Sequence, residues 1–201
     1  MEDQAELGQL LTEFQETIAR RDVKDILNSM KALAERGHHF TSADVAQLYE
    51  LGQFPVELSL ELAFNWYERS AYEEGDKVGY FGLGRFYFDG RYVEKDTIKS
   101  TQLFTQAAAL GLIEANILAG FSYLGSRGAK RDLQKAENIL LPAAEKGYVA
   151  AFFLLARVAR ARHKYLTAAR FWFKSIYRAY SLSRVNKLDP RLYSLHGIWQ
   201  T

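Results

Sequence analysis

The sequence predicts an all-α protein, a right-handed superhelical solenoid of about nine or ten antiparallel helices in pairs. Three observations support this fold class. Apolar residues recur at spacings of three and four along most of the chain, as in helices with one buried face. Glycines that close alanine- or serine-containing segments recur 36 residues apart, at Gly75, Gly111 and Gly147. An aromatic residue repeats with nearly the same period, at Tyr49, Tyr87 and Tyr123. A fixed period in this range, with two helices per unit, is the signature of an α-solenoid.

Residues 1–40 are predicted to form a helical hairpin that caps the start of the array. The first helix is indicated by apolar residues that share one face, namely Leu7, Leu10, Leu11, Phe14 and Ile18. Asp22 is placed to cap a second helix, which ends at Gly37. The hairpin is expected to be a degenerate or capping repeat.

The repeat array itself is predicted over residues 41–180. Its four units are residues 41–75, 76–111, 112–147 and 148–180. In the second and third units an aspartate, Asp96 or Asp132, comes directly before the second helix. A carboxylate there accepts hydrogen bonds from the free N–H groups of the first helical turn. We therefore expect both aspartates to be structural caps, and the periodic glycines to adopt positive φ after their helices.

The last unit departs from the pattern, because the loop between its helices contains neither glycine nor aspartate. Its helices are expected to bury apolar residues at the repeat positions: Leu155, Ala156 and Ala159 in the first, and Ala169, Trp172, Phe173 and Ile176 in the second. A shortened, atypical unit is common at the end of a repeat array. Residues 181–201 are expected to pack over that end as an irregular tail or short helix.

The segment LGRFYFDGRYVEKDTIKSTQLFTQAAALG, residues 83–111, resembles the Sel-like repeat (SLR), a relative of the tetratricopeptide repeat (TPR). The family pattern has Leu-Gly and Tyr in the first helix, V-x-K-D in the loop, and paired alanines before a closing glycine. The unit at 112–147 carries much of the same pattern, as Gly120, Tyr123, Asp132, Ala136, Ala143, Ala144 and Gly147. The unit at 76–111 departs at Gly79 and Ser100, where alanine is usual. The resemblance covers about residues 41–180 and implies a TPR-like binding scaffold, in which Gly84 and Gly120 let a facing helix approach closely.

The charge is distributed unevenly along the chain, although the net charge is only +2. Residues 1–75 carry a net charge of −9, residues 76–147 carry +2 and residues 148–201 carry +9. Such an asymmetry indicates partners and not fold. It favours an acidic partner for the basic end of the chain.

The sequence offers few groups for catalysis or for a cofactor. The chain has no cysteine, which excludes disulfides and thiolate metal sites. The adjacent His38 and His39 do not have the spacing of zinc ligands, and no nucleophile–histidine–acid set stands out. We therefore expect a non-catalytic protein with no cofactor and no metal.

The resemblance to TPR-like arrays implies that first helices line a concave groove. With Leu83, Gly84 and Tyr87 as core positions, the groove is predicted to expose Gln47 and Glu50 in the first unit and an apolar surface with arginines in the later ones. The expected partner-binding residues are Phe81, Arg85, Phe88, Ile117, Phe121, Leu124, Phe153, Arg157 and Arg160. Buried aromatic residues and arginines are the residues that most often dominate protein interfaces.

The leading hypothesis is a protein–protein interaction module, an adaptor, scaffold or regulator that holds a protein or peptide, acidic in character, in this groove. One alternative is nucleic-acid or anionic-ligand binding through the basic C-terminal region, although the acidic first third would repel phosphate. Another is salt-dependent, head-to-tail self-association of acidic and basic ends. Residues 1–20 show no apolar run, so we expect no signal peptide, no membrane partner and a cytoplasmic, bacterial protein.

Overall fold

The computed structural model describes residues 2–20, 22–35, 40–52, 56–125, 131–185 and 189. In this part of the chain every regular element is an α-helix, and ten helices are found, as the sequence predicts. They are α1 (Glu2–Arg20), α2 (Val23–Glu35), α3 (Ser42–Leu51), α4 (Leu60–Tyr72), α5 (Lys77–Asp89), α6 (Thr97–Ala109), α7 (Ile113–Tyr123), α8 (Leu133–Glu145), α9 (Val149–Ala161) and α10 (Tyr165–Val185). None of these described helices is long and apolar enough to cross a membrane.

The chain divides into two compact units, Met1–Lys95 and Asp96–Thr201. In the first unit α1 packs on α2, α3 on α4 and α4 on α5. Its core contains Tyr49, Tyr67 and Phe86, all fully buried. Helix α5 reaches α4 through Gly82, where an added Cβ would lie 2.4 Å from the Tyr67 ring. The Tyr67 ring therefore occupies the space that a side chain at position 82 would need.

In the second unit each helix from α6 to α10 packs on its neighbour in sequence, and α7 also contacts α9. The core is built from Phe104, Leu140 and Leu154, which are fully buried. A Cβ at Gly120 would lie 2.5 Å from Leu140 Cγ, which confirms the close approach expected of this glycine. The domain boundaries predicted from the repeats, at 40 and 180, stay a prediction.

The helix ends confirm the expected capping. Gly75, Gly111 and Gly147 have φ of 67°, 87° and 83°, a left-handed conformation that glycine adopts without steric cost. The Asp96 carboxylate accepts hydrogen bonds from the N–H groups of Ile98 (3.0 Å) and Lys99 (2.9 Å). Asp132 accepts the equivalent bonds from the N–H groups of Gln134 (3.1 Å) and Lys135 (2.9 Å) at the start of α8. These two carboxylates have a structural role.

The prediction for the second helix of the last unit is wrong. Helix α10 buries Ser175 and Leu182, and the four apolar residues expected inside (Ala169, Trp172, Phe173 and Ile176) are exposed. Only three residues connect α9 to α10, whereas seven connect α5 to α6. Because the connection is shorter, positions counted from the repeat period fall on a different face of the helix. Residues 181–185 continue α10, and of the rest of the predicted tail only Asp189 lies among the described residues.

A candidate partner-binding cleft

Three of the residues predicted to bind a partner lie on α5, in the first unit. Phe81 is half-buried, whereas Phe88 is only 6% exposed, with the Lys95 ammonium 5.9 Å from its ring centroid. The Arg85 guanidinium donates a hydrogen bond of 2.5 Å to the Glu50 carboxylate. The charge of Arg85 is therefore already engaged within the fold.

Glu50 is the centre of a buried charge cluster that the sequence analysis missed. Its side chain, on α3, is 4% exposed, although the repeat register predicted that it would face the groove. Besides Arg85, it accepts hydrogen bonds from Arg91 (2.5 Å) and from the Tyr67 hydroxyl (2.8 Å). The cluster joins α3, α4, α5 and the loop after α5. The prediction that Glu50 faces the groove is wrong, because two arginines and a tyrosine hold its carboxylate inside.

The cluster shifts the protonation equilibria of its acids. Burial alone would raise the pKa of Glu50, but the hydrogen bond from Arg91, the charge of Arg85 and the Tyr67 hydroxyl together hold that pKa below its ordinary value. Burial and the adjacent Glu50 carboxylate both raise the pKa of Tyr67. With Tyr49 aligned to Tyr87, the residue equivalent to Arg85 in the preceding first helix is Gln47, and Glu50 lies one helical turn beyond it. An acidic residue one turn away from the position of an arginine on the next first helix was therefore the signal that could have revealed the pair.

In the second unit the predicted residues of α7 do not form an exposed surface. Ile117, Phe121 and Leu124 (directly after α7) are buried, so the expected exposure of these positions is wrong. The physical reason is that α6, α8 and α9 all pack against α7. These apolar side chains fill the space between the helices, as any close-packed core requires. Their predicted role in partner binding stays a prediction.

The remaining three predicted residues meet in one place, a cleft between α9 and α10. The cleft has a volume of about 590 Å³. Phe153, Arg157 and Arg160 line it from α9, and Tyr165 and Trp172 line it from α10. Alanines complete the lining, namely Ala156, Ala168 and Ala169. Because these alanines have short side chains, the space between the two helices stays open. We call this space the α9–α10 cleft.

Electrostatics within the cleft favour a negatively charged ligand. The Arg157 guanidinium lies 5.7 Å from the centroid of the Phe121 ring. Burial lowers the pKa of Arg157, and the positive charge of Arg160 lowers it further. Arg160 is exposed and makes no salt bridge with any described carboxylate. Neither α9 nor α10 contains an aspartate or glutamate. An anion between the two arginines would therefore offset both the desolvation and the mutual repulsion.

Among the described residues, no three His, Cys, Asp or Glu side chains are grouped so that they could hold a metal ion. His38, His39 and His196 lie outside the described residues. His163 lies in the loop between α9 and α10, with its Nδ1 atom 3.1 Å from the Tyr165 hydroxyl. His163 therefore contacts Tyr165, a residue that lines the α9–α10 cleft.

These features define an α-helical repeat protein of the solenoid class, with a cleft at its last helical pair. The family model for the Sel1 repeat matches residues 42–74, 78–112 and 113–148, which make up more than half of the chain. The chain belongs to the Sel1 repeat family, and the resemblance seen in the sequence is confirmed. Proteins of this family generally act as scaffolds for protein–protein interaction.

Individual relatives share only part of their length with this chain. The chitin synthase regulator SKT5 of Saccharomyces cerevisiae is 31% identical over 105 residues, which are 51% of this chain and 15% of the relative. A Sel1 repeat protein from Oxalobacter formigenes has a similar fold, with a TM-score of 0.62 at 20% identity over 79% of this chain and 46% of its own. The protective antigen c5321 of uropathogenic Escherichia coli, which displays an SLR fold, gives a TM-score of 0.63 at 24% identity, over 79% and 36%. The two structures support the fold alone.

Proposed function

We propose that this chain is a non-catalytic interaction module that binds an acidic segment of a partner protein in the α9–α10 cleft. The single observation that supports this most strongly is the pairing of Arg157 and Arg160 beside the aromatic walls of the cleft. The family adds that Sel1 repeats generally serve protein–protein interaction.

The chemistry of the cleft indicates what the partner segment contains. The two arginines fit a carboxylate, because a guanidinium donates two parallel hydrogen bonds to its oxygens. Phe153 and Trp172 offer apolar area for an aromatic or aliphatic side chain next to that carboxylate. A segment that alternates Asp or Glu with Phe or Leu meets both requirements. Phe121 would act indirectly, by supporting the Arg157 guanidinium from below.

The α5 residues predicted to bind a partner have a smaller part in this proposal. Arg85 would have to leave Glu50 before it could bind a partner carboxylate, and Glu50 would then lose one of its two cations. Since uncompensated buried charges are costly, we place the recognition of acidic groups at Arg157 and Arg160. Phe81 remains a candidate for additional apolar contact.

The proposal can be tested with labelled model peptides and fluorescence anisotropy. The probe is a peptide that alternates glutamate with phenylalanine, and the comparison peptides replace either the glutamates by lysine or the phenylalanines by serine. We expect the native chain to bind the first peptide best. Arg160→Gln and Ala169→Leu should each weaken binding about tenfold or more, because one removes a charge-assisted hydrogen bond and the other fills the cleft.

The matched control is Lys146→Gln, which removes one positive charge from an exposed residue outside the cleft. It should bind like the native chain. Equal binding by all three peptides, or native affinity in both cleft variants, would show that the cleft does not recognise acidic segments. Circular dichroism of each variant would verify that the helices are intact.

A further inference from the structure

The outer face of α10 is aromatic and basic. Its middle consists of large side chains at helical spacing, directly opposite the buried Ser175 and Leu182, namely Leu166, Phe173, Tyr177 and Tyr180. They are strongly exposed: Leu166 by 83%, Phe173 by 65% and Tyr177 by 73%. The helix is 21 residues long, so this face extends for about 30 Å. We call it the α10 outer face.

Three positive charges share this face with the aromatic residues. Arg170 and Lys174 lie on one side of it and, with Phe173 and Tyr177, line a depression of about 550 Å³. Arg184 lies toward the other end, where its guanidinium is 5.7 Å from the centroid of the Tyr180 ring. All three cations belong to exposed residues.

The segment that contains α10 has no acidic and no amide side chains. Residues 146–185 contain no Asp, Glu, Asn or Gln, so the polar side chains of this segment are cationic, hydroxyl or imidazole groups. The equivalent helix of the preceding repeat, α8, is covered by α9. Among the described residues, no helix follows α10 to cover it in the same way. Contiguous exposed apolar residues on a protein surface generally mark a binding surface.

We propose that the α10 outer face binds the anionic headgroup region of a lipid bilayer. Helices that lie in a membrane interface carry Lys and Arg beside Trp, Tyr, Phe and Leu, and few other side chains. The aromatic rings enter the boundary between headgroups and acyl chains, whereas the cations stay with the lipid phosphates. This goes beyond the proposed function and departs from the expectation of no membrane partner, since it concerns contact with a bilayer surface and not a membrane span.

Charge and apolar area together favour a bilayer over a second copy of the chain. The acidic end of another molecule supplies opposite charge, but the exposed side of α1 carries Gln9, Thr12, Glu13 and Glu16. Such a polar surface leaves Leu166, Phe173 and Tyr177 exposed to water, which yields no apolar burial. An anionic bilayer satisfies the cations and the aromatic residues at once.

The experiment is co-sedimentation of the full chain with two kinds of vesicle, phosphatidylcholine alone and phosphatidylcholine with about 30% phosphatidylserine. We expect binding to the anionic vesicles at low salt, and weaker binding at about 0.5 M salt because the charges are then screened. The double variant Phe173→Ser with Tyr177→Ser should lose at least tenfold in affinity. Arg170→Gln with Lys174→Gln should lose about tenfold or more, and retain the weaker binding of the aromatic residues.

The matched control is Lys135→Gln with Lys146→Gln, which removes the same charge from exposed residues of α8 and the turn after it. This variant should keep most of the vesicle binding. The proposal is overturned if the native chain does not sediment with anionic vesicles, or if the control loses as much affinity as the Arg170 and Lys174 pair. It is also overturned if light scattering shows an oligomer that only the Phe173 and Tyr177 variant dissociates, since the face would then join copies of the chain.

Discussion

Arg85 and Arg157 occupy equivalent positions of first helices, 72 residues or two repeats apart, and yet have opposite surroundings. On the preceding first helix Glu50 lies one turn beyond the position equivalent to Arg85, and the two residues form an ion pair with the carboxylate buried. One repeat before Arg157 stands Phe121, and the guanidinium packs against its ring. The side chain that the preceding first helix brings next to each arginine therefore distinguishes the two surroundings.

The comparison shows how one scaffold position serves either stability or recognition. A carboxylate next to the arginine, as in the Glu50 cluster, neutralises its charge and links the first helices of successive repeats. An aromatic ring, as Phe121 beside Arg157, instead offers its face to the guanidinium. The neighbouring Arg160 then makes the cleft more positive. The first arrangement buries a carboxylate within the fold, whereas the second lies at the lining of the α9–α10 cleft.

The largest expected effect on stability comes from removing the buried carboxylate of the Glu50 cluster. Glu50→Gln leaves Arg85 and Arg91 facing a neutral amide, so we expect a loss of about 3 kcal/mol in the free energy of unfolding. Urea denaturation followed by circular dichroism measures it. Glu61→Gln, at an exposed position of α4, is the control and should change stability little. A stable Glu50→Gln protein would mean that the cluster is not structural.

A substitution at Gly79 tests how tightly the same region is packed. An added Cβ would lie 2.5 Å from the backbone nitrogen of Ala71 and 2.7 Å from Ser70 Cβ. Gly79→Ala should therefore cost about 2 kcal/mol, although alanine is usual at this repeat position. Gly8→Ala in α1 is the control, because nothing lies within 4 Å of its added Cβ. It should leave stability equal or slightly higher, as alanine is the better helix former. Equal effects of the two substitutions would show that α4 and α5 are not in close contact.

A smaller effect is expected from pH. The folded pKa of Glu50 lies below its ordinary value of 4.5, so its stabilisation is present above about pH 4.5 and is lost as the pH falls through the folded value. The free energy of unfolding should decline over that acidic range more steeply for the native chain than for Glu50→Gln. Urea denaturation from about pH 7 to about pH 3 measures the difference. Parallel curves would show that Glu50 keeps an ordinary pKa.

The smallest effect on stability is expected for an arginine of the α9–α10 cleft. Arg160→Gln should change the free energy of unfolding by no more than about 0.5 kcal/mol, because the residue is exposed and its removal leaves no buried charge. Arg85→Gln should cost more, about 1–2 kcal/mol, since Glu50 would then keep only one of its cations. Thermal denaturation of the two variants side by side gives the comparison. The distinction between the two arrangements fails if both lose the same amount.

Much of the fold could be predicted because its causes are local. The positive φ of Gly111 and the cap formed by Asp96 depend on residues within a few positions, and the 36-residue period places them in register. The candidate site was predictable only in part. Phe153, Arg157 and Arg160 are spaced three and four residues apart on α9, so the helix itself brings them to one cleft. The burial of Phe88 and Phe121 depends instead on packing between different helices.

By itself the sequence determined the number of helices, their ends and the Sel1 repeat family, since periodicity and capping are encoded within each repeat. Tertiary structure decided which charges are neutralised, because Glu50 meets Arg85 and Arg91 only when successive helices pack. It also decided which face of α10 is buried. The three-residue connection after α9 sets the rotation of that helix, so Ser175 and Leu182 face inward and Phe173 faces water.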